Sequence, residues 1–476
     1  MSDTNEKTGN VGVQGQMERQ LTSFQRKQGN VQRFVSNICG EFEKHNRIAP
    51  INYERYDVKR GLRNADGTGV MAGVTQIGNV QGYHLQDGEK IPWEGRLLYR
   101  GYSINDLVNN ALREDRFGYE ETAYLLLFGA LPNENQLADF SAILSEWSPL
   151  PFRFTEDAIL SLPSPSVMNK LARAVLALYT YDDNPDNNEL QAELFRAIRL
   201  IARFPTIVAH GYAAKIHYYD RQSLYLHLPQ KDLSLAENFL RLIRPDSQYT
   251  PEEARLLDLC LMVHAEHGGG NNSTFVCRAV SSSGTDIYSA IAAAVGSLKG
   301  PRHGGANEQV LAMMDRLEQE VSDWRDEGAI RDWLARRIRG EAGPDTLVYG
   351  LGHAVYTLSD PRAVILKTCA RTLAEKKGMT EELELFERVE RIAPPILQEL
   401  KGAGAGSCAN VDFYSGLVYR MLDIPRSLYT ALFATARISG WCAHRIEELY
   451  NKGNKIIRPA YKCVVPAKEY IPLSRR

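Results

Sequence analysis

Apolar residues recur at helical spacing along most of this chain, and that periodicity is what most restricts its fold. Between Ile330 and Ile338 they fall at Ile330, Trp333, Leu334 and Ile338, the pattern of a helix with one buried face. Asp360-Pro361 reads as a cap followed by the first helical residue. It opens a helix with apolar positions at Ile365, Cys369 and Leu373, and places Arg362 in its first turn. An Ala-rich helix is predicted over Thr285 to Leu298, stopping at Gly300-Pro301, with another amphipathic stretch through Val310, Leu311, Met314 and Leu317. Strand-like signals are few: Val70 to Val80, Arg96 to Tyr99, and the tail around Cys463 to Val465. The fold class expected is therefore mainly α.

With 476 residues, 44% of them hydrophobic, the chain can fill the cores of two or three domains of about 100–200 residues. Its 56 basic and 58 acidic residues leave a net charge of −2, so no charge excess points to nucleic acid or a membrane surface as partner. An anionic ligand must be held by local charges instead. Seven cysteines are scattered without a C-x-x-C pair, which reads as reduced thiols in a cytosolic-type compartment, without disulfides. The first 30 residues or so are rich in Asn, Gln, Gly, Ser and Thr and resemble neither a secretory signal nor a transit peptide. No apolar run approaches the roughly 20 residues that span a bilayer. A soluble, cytoplasmic protein with a frayed leader is expected.

Three glycine- or loop-framed histidine sites stand out: His264-Ala-Glu-His267-Gly-Gly-Gly-Asn271, Gly300-Pro-Arg-His303-Gly-Gly, and Gly350-Leu-Gly-His353-Ala-Val-Tyr356. Glycine lets backbone and ligand approach closely, so a histidine in such a loop can be aimed into a cleft. Each alone also reads as a packed or solvent-facing loop residue. His264 and His267 share a helical face and would suit a zinc ion, but the order is not H-E-x-x-H, and the glycine run suggests that the helix ends there. Gly350-Leu-Gly does not complete a dinucleotide loop, since position 355 is Val. Asp412, in Asn410-Val-Asp-Phe-Tyr-Ser-Gly, follows the Gly/Ala-rich stretch Gly402 to Gly406 and by itself reads as a helix cap. Arg362, Arg437 and Arg458 by themselves read as surface ion-pair formers.

The order of several strings resembles the citrate synthase family. They are Gly69-Val-Met-Ala-Gly-Val-Thr75, Leu98-Tyr-Arg-Gly-Tyr102, Leu125-Leu-Leu-Phe-Gly-Ala-Leu-Pro132, Glu237-Asn-Phe-Leu240, Gly300-Pro-Arg-His-Gly-Gly-Ala-Asn307, Gly352-His-Ala-Val-Tyr356 with Asp360-Pro-Arg362, Asn410-Val-Asp412 and Ala436-Arg-Ile-Ser-Gly-Trp441. The resemblance spans about residues 55 to 465. It implies a mostly helical homodimer whose subunits each have a large domain, 46–303 with 418–476, and a smaller mobile domain, 304–417. A polar extension, 1–45, precedes them.

The same resemblance implies an acyltransferase that converts the acyl group to alkyl on transfer, condensing acetyl-CoA with oxaloacetate to citrate in the tricarboxylic acid cycle, or propionyl-CoA to 2-methylcitrate. It makes His303 the group polarising the thioester carbonyl, His353 the partner of the oxaloacetate ketone, and Asp412 the base. His267, Arg362 and Arg437 would hold substrate carboxylates, and Arg458 would reach in from the partner subunit. No metal and no permanently bound cofactor are implied; acetyl-CoA is a cosubstrate. The chemistry is consistent, because a thioester methyl is a feeble carbon acid needing a carboxylate on one side and a donor for the enolate oxygen on the other. Two departures stand out. Thr357 occupies a position where many relatives place a basic residue for CoA phosphates, for which Arg302 or Lys299 would have to compensate, and an apparent insertion lies near Tyr83 to Trp93.

Overall fold

The computed structural model describes residues 31–36, 38–64, 66–87, 89–341, 343, 345–402, 408–451, 453 and 455–476. The expected leader and most of the Gly/Ala-rich stretch before Asp412 lie outside them. The chain divides into two units, Met1–Val70 with Pro459–Arg476, and Met71–Arg458. In the first, residues 31–36 and 38–45 are helical and expose Val31, Phe34, Val35, Ile38 and Phe42, an apolar periodicity inside a stretch that reads as polar overall. The strand expected near Cys463 to Val465 is absent, since nothing among the described residues supplies it with a ladder.

The second unit is a bundle of helices around the helix Tyr429–Tyr450, which is buried without interruption from Tyr429 to Arg445. A helix whose every face is covered lies inside the protein, and the polar residues it buries, such as Arg437 and Arg445, need partners there. It packs against Leu190–Tyr218, Asn272–Ser281, Pro251–His264 and Ile287–Leu298. The last of these is the expected Ala-rich helix, ending at the Gly300-Pro301 turn. Pro251–His264 starts with a reciprocal capping box between Thr250 and Glu253, with proline as its first residue. It ends before the glycine run, as the sequence suggested. Glu327–Arg339 buries Ile330, Trp333, Leu334 and Ile338, the four periodic residues, and packs on Thr380–Lys401. Val411–Met421 lies against both Ala306–Glu320 and Pro361–Lys377.

The sheet is small. Strands β1 (Gly78–Gln86), β2 (Glu89–Tyr99) and β3 (Tyr102–Ser103) form an antiparallel meander in the order β1-β2-β3. Residues 71–77, expected to be extended with Val80, are not strand. The segment near Tyr83 to Trp93 is the outer half of the β1–β2 hairpin, which closes at Gln86 paired with Glu89. Its register jumps between Gln81, opposite Arg96, and Tyr83, opposite Pro92. Among the described residues no helix is long and apolar enough to cross a membrane.

Candidate active site

Two buried arginines organise the site. Arg362, in the first turn of Pro361–Lys377, is 3% exposed and bound at both ends of its fork by Asp360: Nε donates to Oδ1 at 3.0 Å and Nη2 to Oδ2 at 2.7 Å. Asp360 is also the cap of that helix, accepting from the Arg362 N–H, as the Asp-Pro pair predicted. Its Oδ2 accepts in addition from the Val411 N–H at the start of the next site helix. Burial alone would lower the Arg362 pKa, but the adjoining Asp360 carboxylate outweighs it and the net shift is upward.

Arg437, on the central helix, is fully buried and bonded differently. Its Nε donates to the His264 carbonyl at 2.6 Å, while Nη1 and Nη2 are buried without a partner. Burial pulls its pKa down to about 10, against the opposing pull of Glu266, so it remains a cation at neutral pH. Glu266 is itself held below the usual carboxylate range. Burial opposes this, but the His444 imidazole and then Arg437 outweigh it. Arg278 donates to His444 Nδ1 at 2.7 Å, so Nε2 is the atom that donates to Glu266 at 3.0 Å. A guanidinium fork charged but unbonded at its outer nitrogens suits an anion arriving from outside the fold.

The histidines are oriented by backbone donors. Ser273 N–H donates to His303 Nε2 at 3.3 Å, so the proton of the neutral ring sits on Nδ1. Ser273 Oγ lies 3.0 Å from the same nitrogen and is in turn bonded by the Trp441 indole N–H. His353 is set the other way round. Val355 and Tyr356 N–H donate to its Nδ1 at 3.0 and 3.1 Å, leaving the proton on Nε2. The His353 ring stacks on Tyr356, with centroids 4.6 Å apart, and meets the edge of His267 at 5.0 Å. His267 Nε2 and the Tyr356 hydroxyl are buried without partners. Burial, followed by Arg437, pushes His303 down to about 4, and burial with Arg362 pushes His267 well below its ordinary value. Both rings are neutral near pH 7.

Asp412 occupies the first turn of Val411–Met421, but the cap is Asn410, whose side chain accepts the Asp412 N–H. The cap reading of Asp412 thus gives way to a carboxylate that accepts no hydrogen bond among the described residues. Burial pushes it up to about 6, with Arg362 and Arg437 opposing. His264, the other member of the metal alternative, turns its Nδ1 to the Cys260 carbonyl at 2.8 Å and packs edge-on against Phe433. No group of three or more metal-ligating side chains occurs among the described residues.

Six of the seven expected residues therefore converge: Arg362 and Arg437 are felt by His267 and Asp412, and Arg437 by His303. Arg458 does not join them; it is exposed beyond the central helix and makes no hydrogen bond or ion pair within the described part of its own chain. Ser273 had no prominence in the sequence, and Tyr356, Glu266 and Trp441 stood there only as members of the strings Gly352-His-Ala-Val-Tyr356, His264-Ala-Glu-His267 and Ala436-Arg-Ile-Ser-Gly-Trp441.

Two buried guanidinium groups, neutral imidazoles of fixed tautomer and a carboxylate of raised pKa form the equipment of an acid–base enzyme for anionic substrates. The family model "Citrate synthase, C-terminal domain" matches residues 64–460. Citrate synthase of Deinococcus radiodurans is 36% identical over 77% of this chain and 89% of its own. 2-Methylcitrate synthase 1 of Corynebacterium glutamicum is 32% identical over 88% and 98%. Among solved structures, the complex of Thermoplasma acidophilum citrate synthase with carboxymethyl coenzyme A and oxaloacetate superposes with a TM-score of 0.72 at 28% identity, covering 88% of this chain and 99% of that one. The chain belongs to the citrate synthase family, and is a transferase of mainly α fold.

Proposed function

We propose that the protein condenses acetyl-CoA with oxaloacetate to form citrate, as a cytoplasmic homodimer serving the tricarboxylic acid cycle. The observation that carries this reading is the pairing of Asp412, a half-buried carboxylate accepting no hydrogen bond among the described residues, with neutral histidines of opposite tautomer beside two guanidinium groups. Asp412 takes a proton from the thioester methyl. His303 Nδ1–H donates to the enolate oxygen as charge develops there. The enolate carbon then attacks the ketone of oxaloacetate, forming the C–C bond, while His353 Nε2–H donates to the ketone oxygen. Arg362, Arg437 and His267 hold the carboxylates. Water finally cleaves the thioester of citryl-CoA, releasing CoA and citrate. The acyl-CoA is a cosubstrate, and these steps call for no redox cofactor.

Helices within 304–417 pack on one another, which supports that segment as the smaller mobile domain of a two-domain subunit. Its closure would keep water from the enolate. The exposed Arg458 suits a role in the partner subunit's site. Propionyl-CoA, giving 2-methylcitrate, is the second reading, because one relative, 32% identical, is a 2-methylcitrate synthase. One methylene in a pocket discriminates by only about 1–3 kcal/mol. A thiol-release assay with oxaloacetate tests both: acetyl-CoA is expected to give the higher kcat/KM. A higher value with propionyl-CoA selects the second reading, and no CoA release from either thioester overturns the condensing function.

A further inference from the structure

The two departures from the family's strings, the insertion near Tyr83 to Trp93 and Thr357, meet in space. The register jump of the β1–β2 hairpin leaves Gly82 on one strand opposite Trp93, Glu94 and Gly95 on the other. Irregularities of this kind bend a strand and re-aim its polar groups, often beside active sites. Here they are aimed at the loop 353–359. Thr357 Oγ1 donates to the Gly82 carbonyl at 3.3 Å. Gly95 N–H donates to Ser359 Oγ at 3.2 Å, and Ser359 Oγ–H donates in turn to the Glu94 carboxylate.

The two glycines are required by proximity. A Cβ on Gly82 would stand 2.5 Å from the Val355 carbonyl oxygen, and one on Gly95 would lie closer still to the Ser359 carbonyl oxygen and 2.9 Å from the Tyr356 ring. Both hydrogen-bonded edges of the hairpin thus bracket Val355 and Tyr356, whose N–H groups hold His353 Nδ1. A loop without regular secondary structure needs such outside anchors to keep two adjacent amides converging on one nitrogen.

We propose that the β1–β2 hairpin is a positioning clamp for His353, with Gly82, Glu94 and Gly95 on the hairpin and Thr357 and Ser359 on the loop as its contacts. Thr357 has accordingly exchanged a family role in holding CoA for one in anchoring the loop. The hairpin residues touch no reacting atom; they act through the tautomer and orientation of His353. The consequence for catalysis rests on the condensing function proposed above, whereas the anchoring itself does not.

The test uses the full chain carrying Thr357→Val and Ser359→Ala, singly and together, because these remove the hydrogen bonds without adding bulk. Hydrogen–deuterium exchange of peptides across residues 351–359 is expected to accelerate by about tenfold in the double variant. Its kcat should fall by about tenfold or more, as misplacement of a catalytic group by less than 1 Å implies. The KM for oxaloacetate and the melting temperature should stay close to those of the parent. Thr357→Ser should restore both exchange and kcat. Gly95→Ala should produce the larger defect, and Leu85→Ser, on the exposed outer hairpin, none. Parent-like exchange and kcat in the double variant would overturn the clamp. If the parent itself releases no CoA from either thioester, the functional reading fails, and the exchange measurement still decides the clamp.

Discussion

Two helices begin side by side at the centre of the site, Pro361–Lys377 and Val411–Met421, and each has an aspartate at its start. Their surroundings differ in one respect: what the carboxylate is bonded to. Asp360 accepts from its own helix N-terminus, from both ends of the Arg362 fork and from the Val411 N–H of its neighbour. Asp412 is relieved of capping by Asn410 and accepts no hydrogen bond among the described residues, so burial raises its pKa to about 6. The lesson is a division of labour. One aspartate takes an orphan donor at each helix start and Asn410 takes another, which leaves the other aspartate under-solvated and basic enough to take a proton.

The sharpest way to break this division is to exchange each carboxylate for its amide. Asp412→Asn should lower kcat on the order of 10³-fold, the middle of the range for a lost general base, equivalent to about 4 kcal/mol. Parent-like CoA release by the variant would remove Asp412 from the role of base. Asp360→Asn keeps an oxygen for the cap but strips the charge facing the buried Arg362. Urea denaturation should show a stability loss of about 3 kcal/mol or more, because an uncompensated buried guanidinium remains. A loss under 1 kcal/mol would mean that the pair is solvated in solution.

How much of this was readable before the structure follows from the kind of interaction concerned. Ile330, Trp333, Leu334 and Ile338 were legible as a buried helix face because periodicity is local, and Asp360-Pro361 because capping is local. The site residues were legible only through the order of their strings; singly, His303, His353 and Asp412 had equally good bland readings. What stayed hidden depends on contacts far apart in sequence. Nothing near Ser273 announces that its amide will fix a histidine 30 residues on, and nothing in Glu266 announces the distant His444. The hairpin was missed for a different reason. Its Asp87-Gly88 turn signal was present, but the glycines Gly82 and Gly95 break the alternation on which a strand reading relies.

The comparison also predicts a sign for stability. The folded pKa of Asp412, about 6, lies above the ordinary aspartate value of 3.8, so its burial costs the folded state nothing below about pH 4 and the full amount above about pH 6. Asp412→Asn should therefore stabilise the protein by about 2–3 kcal/mol at pH 8, two pKa units' worth, and the gain should vanish by pH 4. Melting curves across that interval measure it. A pH-independent gain would trace the effect to packing instead of charge.

The smallest effect is the most specific to Asp412. As a base it works only when ionised, so kcat/KM for the acyl-CoA should fall tenfold per pH unit below about 6 and level off above. His303 cannot mimic this limb, because burial holds it neutral down to about pH 4. The neutral ring is the donor the reaction needs, so its titration would appear as a second bend some two units lower. The absence of any bend near pH 6 would show Asp412 to be solvated like an ordinary surface carboxylate, and the contrast with Asp360 would then lie in bonding alone. A limb near 6 that persists in the slow Asp412→Asn enzyme would assign the titration to another group.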